Sequence, residues 1–348
     1  MKTLLLTLLA TPFISQAATF PNSTFENLDY GLYWFGKDNA YCKAESVCTE
    51  YNKNNPTIIY FHGWQNGSSE NQRRESFFSS NSGAPNIDLA ASWVDDGYNI
   101  GIFYWNQFAD EEEVKDAEAK IWTHQGPQNM RWKSSNGSYS QLSGSSSITD
   151  LAIQSINSGM NEWEGNKLIF AGHSLGNQLA VTVGHHFSEN EDHITPDRIA
   201  LLDPFYSNYG KDYLDGKWVG EVIREYADDI INDGIVIEGY RSSPATSTIF
   251  IGDANKALMN KIAFTELKPW FFNALQVTEK HVMARWHYFY SYQFSAPEIK
   301  NSSSLGLSAS TSDTRVKELM DSSNRLIHDT GHNTKTPEDD VFSLGSRL

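Results

Sequence analysis

Five short apolar runs recur along the chain: TIIYFHG from position 57, YNIGIFYW from 98, KLIFAGH from 167, RIALLDP from 198 and GIVIEGY from 234. They are continuous rather than alternating and rich in β-branched and aromatic residues, the pattern of strands buried on both faces of a parallel sheet. Between them, NIDLAASWVDDG (86–97), ITDLAIQSINSGMNEWE (148–164) and LGNQLAVTVGHHFSE (175–189) place apolar residues at helical spacing. The last two bracket the run at 167, and a helix over Asn177–Glu189 follows it. Strands alternating with helices predict an α/β fold, a mostly parallel central sheet with helices on both faces. Chemistry in such folds gathers at the carboxyl ends of the strands. Three polar stretches, 66–83, 134–147 and 301–313, predict two surface loops and a linker to a polar C-terminal stretch, whose TPEDDVFSL (336–344) would add an edge strand. No internal repeat is visible.

Composition narrows this picture. The 348 residues are 39% hydrophobic, enough for one large domain, assigned to 18–300, with 301–348 as a polar extension packed on the same domain. A formal net charge of −16 argues against nucleic acid as a partner, because no basic field is present to displace counterions from phosphates. The first residues, MKTLLLTLLATPFISQA, read as a secretory signal peptide over 1–17, with Lys2 before a short apolar stretch and small residues at its end. No later run approaches the roughly 18 to 20 apolar residues of a membrane span, so the expectation is a soluble protein secreted to the extracellular space or periplasm. Its two cysteines, Cys42 and Cys48, then form a small-loop disulfide, with two free thiols as the alternative. No Cys/His cluster supports a metal site. DDIINDG (228–234) is acidic but departs from a calcium loop, since Ile231 stands at a ligand position and no Glu closes it. Sequons at Asn22, Asn66, Asn136 and Asn301 matter only in a host that glycosylates. Oligomeric state is not legible.

The strand at 167 breaks into Gly172-His173-Ser174-Leu175-Gly176 before a helix, the strand–turn–helix context of a nucleophile elbow. Such a turn needs small residues two before and two after the serine, and Gly172 and Gly176 meet that need. His173 is adjacent to Ser174 and points away in such a turn, so it reads as a packed neighbour. Acyl transfer also needs backbone N–H donors for the oxyanion. Leu175 supplies one, and the strand end His62-Gly63-Trp64 supplies the other through Trp64, whose indole either lines an acyl groove or caps the core. An acid follows in Asp203, at the carboxyl end of RIALLDP, with Asp253 as its substitute. The base comes later, and His281, in a loop leading into the aromatic helix of HVMARWHYFYS, can reach back to Ser174. His287 reads as core or groove lining, and His328 and His332 as part of the polar tail.

With HGW (62–64), GHSLG (172–176), LLDP (201–204) and HVMARWHYFYS (281–291) in this order, the chain resembles the pancreatic-lipase-like branch of the α/β-hydrolases over roughly residues 55 to 295. The resemblance implies an α/β-hydrolase fold and places the acid on the strand directly after the nucleophile strand, where Asp203 stands. It also implies an aromatic seven positions, and a serine ten positions, after the base, met by Tyr288 and Ser291 when counted from His281. The branch's lid between two cysteines has no counterpart in 205–280, so any lid is built differently; LKPWFFNAL (267–275) reads either as a cover or acyl-binding wall or as an ordinary amphipathic helix. The additional C-terminal β-sandwich, and docking through it, is not expected either.

The resulting expectation is a secreted serine carboxylic-ester hydrolase, a lipase or phospholipase with the triad Ser174, Asp203 and His281, an oxyanion hole of Trp64 and Leu175, no cofactor and transient contact with lipid interfaces. Two rivals are a peptidase or amidase using the same triad, and a non-catalytic lipid-binding protein on a lipase fold.

Overall fold

The computed structural model describes residues 19–79, 84–190, 193–244, 252–329 and 334–348. The expected signal segment, 1–17, and His332 lie outside the described residues. Eleven strands form one sheet: β1 Gly31–Phe35, β2 Tyr41–Lys43, β3 Thr57–Phe61, β4 Asn99–Tyr104, β5 Leu168–His173, β6 Arg198–Leu202, β7 Val236–Arg241, β8 Ala263–Glu266, β9 Glu298–Ile299, β10 Asn324–His328 and β11 Val341–Ser346. Their spatial order is β2-β1-β4-β3-β5-β6-β7-β8-β10-β11-β9. The five apolar runs are the five adjacent parallel strands β4, β3, β5, β6 and β7 at its centre.

Alternation along these strands feeds two cores. Ile59, Phe61, Phe103, Phe170, Ile199 and Leu201 face one side, where they meet Leu179 and Ile223. Ile58, Tyr60, Ile102, Ile169, Ala200 and Leu202 face the other, against Trp93, Trp286, Phe289 and Val316. The first layer is built from helices α1 Val114–Trp122, α2 Ile148–Gly159, α3 Gly176–Glu189 and α4 Val219–Asn232; the second carries α5 Val277–Ser291 and α6 Asp313–Asp321. Helix α2 starts where Ser147 and Asp150 form a reciprocal capping box, which satisfies two end N–H groups. The α/β fold read from the apolar runs is the fold observed, a mostly parallel sheet covered by helices on both faces.

Local expectations fare less evenly. In NIDLAASWVDDG only Ala91–Asp95 is helical, with Ile87–Asp88 pairing as a short strand instead. The polar stretch 134–147 is not wholly a loop, because Tyr139–Gln141 pairs with Arg131–Lys133 in a hairpin turned by Gly137 at φ 82°. The segment 301–313 does not act as a linker. Ser308, Ala309 and Thr311 are buried, and the buried Arg198 guanidinium donates to the Ala309 and Thr311 carbonyls while pairing with Asp313. The C-terminal strand β11 runs antiparallel to β10 and is flanked by β9 at the sheet edge. Cys42 and Cys48 are joined in a disulfide after β2, with Cα atoms 5.5 Å apart. No helix among the described residues is long and apolar enough to cross a membrane.

One buried cluster ties the C-terminal strands to α5. Asp340 accepts from Nε2 of His287 at 2.6 Å and from Nε2 of His328 at 2.8 Å, so a single carboxylate clamps helix, strand and C-terminal turn. Burial alone would raise the Asp340 pKa, but the two histidines beside it hold it well below the usual carboxylate range. A depressed carboxylate adds stability above its unfolded value near 3.9 and loses that contribution as pH falls from there toward the folded value. Asp340→Asn should therefore cost about 1–3 kcal/mol at pH 7, the range for leaving buried donors without their charged acceptor. In urea titrations the gap between the variant and the natural chain should shrink below about pH 4; an equal gap at pH 7 and pH 3 would sink this account.

Candidate active site

Strand β5 ends at His173 and α3 begins at Gly176, leaving Ser174 and Leu175 to turn the chain. Ser174 takes φ 56°, a left-handed conformation that costs a non-glycine residue about 1–3 kcal/mol and persists only where the surroundings enforce it. The enforcement is steric. A methyl on Gly172 would lie 2.4 Å from the Gly176 carbonyl oxygen, and one on Gly176 would lie 1.9 Å from that of Phe61. From Leu168 to His185 every residue is buried except Ser174, which is partly exposed.

The elbow is also stitched to the neighbouring strand. The Ser174 N–H donates to the Leu202 carbonyl, and the Phe205 N–H donates to the Ser174 carbonyl, both at 3.2 Å. Asn177, fully buried on the first turn of α3, donates through Nδ2 to the Ser174 and Leu202 carbonyls and accepts the Leu202 N–H at Oδ1. One amide thus fixes the elbow against the end of β6, the strand that delivers Asp203. Sequence reasoning missed Asn177, although its place directly after GHSLG was the available signal.

Asp203 follows β6 with φ 41°, another left-handed non-glycine residue. Its Oδ1 accepts the N–H groups of Ser242 (2.9 Å) and Ser243 (3.2 Å), and its Oδ2 accepts the Ser243 hydroxyl at 2.5 Å and the Nδ1–H of His281 at 2.6 Å. His281 lies within α5 rather than in a loop before it, because the helix already starts at Val277. Asp253, the substitute acid, caps the N–H of Asn255 and pairs with Arg224 at 3.6 Å, with no bond to a histidine among the described residues. His287 is bound to Asp340 instead.

The structure joins His281 to Asp203, and among the described residues it makes no hydrogen bond between His281 and the Ser174 hydroxyl. Such contacts commonly tighten only when substrate is bound. What keeps the His281 ring over the elbow is His173, whose ring centroid is 4.5 Å away and whose Nε2–H donates to the His281 carbonyl at 3.0 Å. Burial, followed by the neighbouring His281, pushes the His173 pKa down to about 3, so this ring stays neutral where an ordinary histidine titrates.

Below the two rings lies Glu75. Burial alone would raise its pKa, but Arg285 at 3.3 Å, His173, His62 and the Tyr60 hydroxyl bring it down to about 2. Arg285 sits one turn after His281 on α5, so this ion pair anchors the helix from beneath.

On the opposite side of Ser174, a methyl on Gly63 would lie 2.7 Å from Ser174 Cβ and 3.3 Å from the Leu175 nitrogen. The strand end 62–64 therefore passes directly beside the elbow. Among the described residues neither the Trp64 nor the Leu175 N–H has a protein acceptor. The half-buried Trp64 indole packs on the core and donates to the Glu111 carbonyl at 2.7 Å. His62 accepts the Trp105 N–H at Nε2, which leaves Nδ1–H to donate to the Gly63 carbonyl, and burial lowers its pKa to about 4. His62 is therefore a neutral brace of this loop.

The acidic run 228–234 is the end of α4 and not an open loop. There the buried His185 and the exposed carboxylates of Glu189 and Asp229 hold three potential ligand atoms within 4.8 Å of one another, about 14 Å along the helix from the elbow.

An elbow after β5, a carboxylate after β6 and a histidine reaching it from a later helix thus meet at the carboxyl ends of two adjacent parallel strands. No family model and no curated protein matches the chain. Among solved structures it is similar to ESTFA in its FE-lacking apo form, with TM-score 0.32 and 11% identity over 81% of this chain and 88% of that one. It is also similar to a membrane phospholipase A described as a novel bacterial virulence factor (TM-score 0.31, 10% identity, 77% and 81% covered). A third is LAE6, an alpha/beta hydrolase enzyme from the metagenome of Lake Arreo, Spain (TM-score 0.28, 12% identity, 68% and 76% covered). Against a prolyl endopeptidase (TM-score 0.29, 12% identity) 63% of this chain is covered, and it spans only 31% of that protein's length. These likenesses are too distant to transfer a substrate.

Gly176→Ala should lower stability by about 3 kcal/mol or more through overpacking against the Phe61 carbonyl. Gly234→Ala offers a contrast, since its φ of 88° adds strain while a methyl there meets nothing within 4 Å; it should cost about 1 kcal/mol. Thermal melts of the two variants in the opposite order would contradict the close-approach argument.

Proposed function

We propose that the chain is a secreted serine carboxylic-ester hydrolase of the pancreatic-lipase-like branch, a lipase or phospholipase that cleaves acyl esters of lipids with Ser174, His281 and Asp203. The observation that carries this reading is the 2.6 Å bond between His281 Nδ1 and Asp203 Oδ2, beside the one residue of the elbow left partly open. The Asp203 bond holds His281 in the tautomer whose Nε2 is free to take a proton. His281 removes the Ser174 hydroxyl proton as Oγ attacks the ester carbonyl, and Asp203 stabilises the imidazolium that forms. The Trp64 and Leu175 N–H groups hold the oxyanion, an effect on the order of 10²–10³ in rate per donor. His281 returns the proton to the leaving alcohol, and water activated by the same ring then releases the acid. No cofactor enters these steps.

Support for the branch comes from Asp203, which follows β6, the next strand in sequence after β5 and its direct neighbour in the sheet. The disulfide and the lack, among the described residues, of a helix able to cross a membrane fit the expected secretion. Transient contact with lipid interfaces is part of the same proposal.

On a micellar lipid ester, Ser174→Ala and His281→Ala should each lower kcat by roughly four to six orders of magnitude, and the double variant should be little worse than either alone. His287→Gln should keep kcat within about tenfold while lowering the melting temperature. Survival of activity in Ser174→Ala would end this reading, and faster cleavage of a matched amide than of the ester would replace it with a peptidase.

A further inference from the structure

Away from the elbow, the C-terminal ends of α3 and α4 bring together one histidine and two carboxylates. His185 and Glu189 stand four positions apart on α3 and so share one face, and Asp229 meets them from α4. The His185 Nε2 lies 3.2 Å from Asp229 Oδ2 and 3.5 Å from Glu189 Oε1. His185 is only 9% exposed, and the Tyr226 ring stacks on its imidazole at 3.9 Å and 9°, which fixes the direction in which Nε2 points. Both carboxylates are exposed, so the group opens to solvent.

Hydrogen bonding leaves this group incomplete. Nε2 carries at most one hydrogen, which goes to Asp229, and among the described residues the Glu189 carboxylate receives no hydrogen bond. Elsewhere on α4 the acids have their lysines, Glu225 with Lys217 at 2.7 Å and Asp228 with Lys261 at 2.6 Å. Among the described residues no lysine or arginine pairs with Asp229 or Glu189. Two like charges therefore converge, their ligand oxygens within 4.8 Å of each other, at the negative ends of two helix dipoles. What the arrangement lacks is a compact positive charge that more than one carboxylate can share.

We propose that His185, Glu189 and Asp229 form a structural Zn²⁺ site that ties α3 to α4, with water as the fourth ligand. An imidazole nitrogen beside two carboxylate oxygens suits zinc better than calcium or magnesium, which take oxygen ligands. Ligands at about 2.0–2.1 Å from a tetrahedral centre stand roughly 3.3–3.4 Å apart. The Nε2–oxygen separations of 3.2 Å and 3.5 Å already lie close to that edge. Binding requires Nε2 without its hydrogen, which moves to Nδ1 in a neutral ring or leaves to solvent from a charged one, and the two charges of the ion balance the two carboxylates. The site is about 14 Å along α3 from the elbow, outside the catalytic steps proposed above and independent of them.

Two readouts on the full chain, stripped of metal by a chelator, test the site, and neither uses ester cleavage. In calorimetric titration with zinc chloride, an ion should bind at least tenfold more weakly after Asp229→Asn or Glu189→Gln than in the natural chain, with no change after the control His186→Gln. Both carboxylates are exposed, so these near-isosteric replacements leave the core intact. In thermal melts, Zn²⁺ should raise the melting temperature of the natural chain, EDTA should reverse the rise, and the rise should be smaller in Asp229→Asn. Absence of Zn²⁺ binding, or binding that neither carboxylate substitution weakens, overturns the site. An equal rise in melting temperature with Ca²⁺ overturns the choice of zinc, and binding without any rise overturns the structural role.

Discussion

Ser174 can rise above the sheet only because three stretches of main chain meet with no side chain between them. The ends of β3 and β5 and the start of α3 come so close at Gly63, Gly172 and Gly176 that a methyl on any of the three would overlap a neighbouring atom. This contact forces the left-handed turn at Ser174 and brings the 62–64 loop beside Leu175. Asn177 carries the constraint one strand further, since its amide spans the elbow and both main-chain groups of Leu202. The placement of Asp203, and through it of His281, follows from that junction. Two strained residues are thereby held by one densely hydrogen-bonded corner.

Electrostatics are layered beneath the same corner. Glu75 and Arg285 form a pair at the bottom, the neutral His173 lies over them, and His281 lies above with Asp203 as its direct partner. Because His173 is held neutral, the ring packed 4.5 Å from His281 brings no positive charge of its own to this corner.

Much of this was legible in the chain because it depends on local pattern. Continuous apolar runs marked the five central strands, which are buried on both faces, and the glycine spacing around Ser174 reported a steric need of the turn itself. What could not be read depends on partners distant in sequence. Ser242 and Ser243 reach Asp203 from about 40 residues away, and no spacing rule announces them. His287 looked like a core residue and is buried, yet its partner Asp340 stands in the tail that polarity alone had marked as an extension. Residues 301–313 read as a linker because they are small and polar, whereas their carbonyls accept from the buried Arg198 guanidinium and Asp313 pairs with its charge. His281 read as a loop residue because the aromatic stretch begins after it, whereas the helix already starts at Val277, behind a Gln276 that makes no side-chain cap.

The clamp of His287 and His328 on Asp340 bears on when during synthesis the site can form. Ribosomes add roughly 5–20 residues per second, and structure accumulates from the N-terminus as the chain emerges. Asp340 lies about 170 residues after Ser174, a delay of roughly 8–35 s. The elbow and the 62–64 loop are made early, while the helix that carries His281, already tied to Glu75 through Arg285, gains its second anchor only once residue 340 has been added. A nascent chain therefore carries Ser174 for roughly 8–35 s before the clamp on Asp340 can close, and the packing of α5 against the C-terminal strands is reached late in folding.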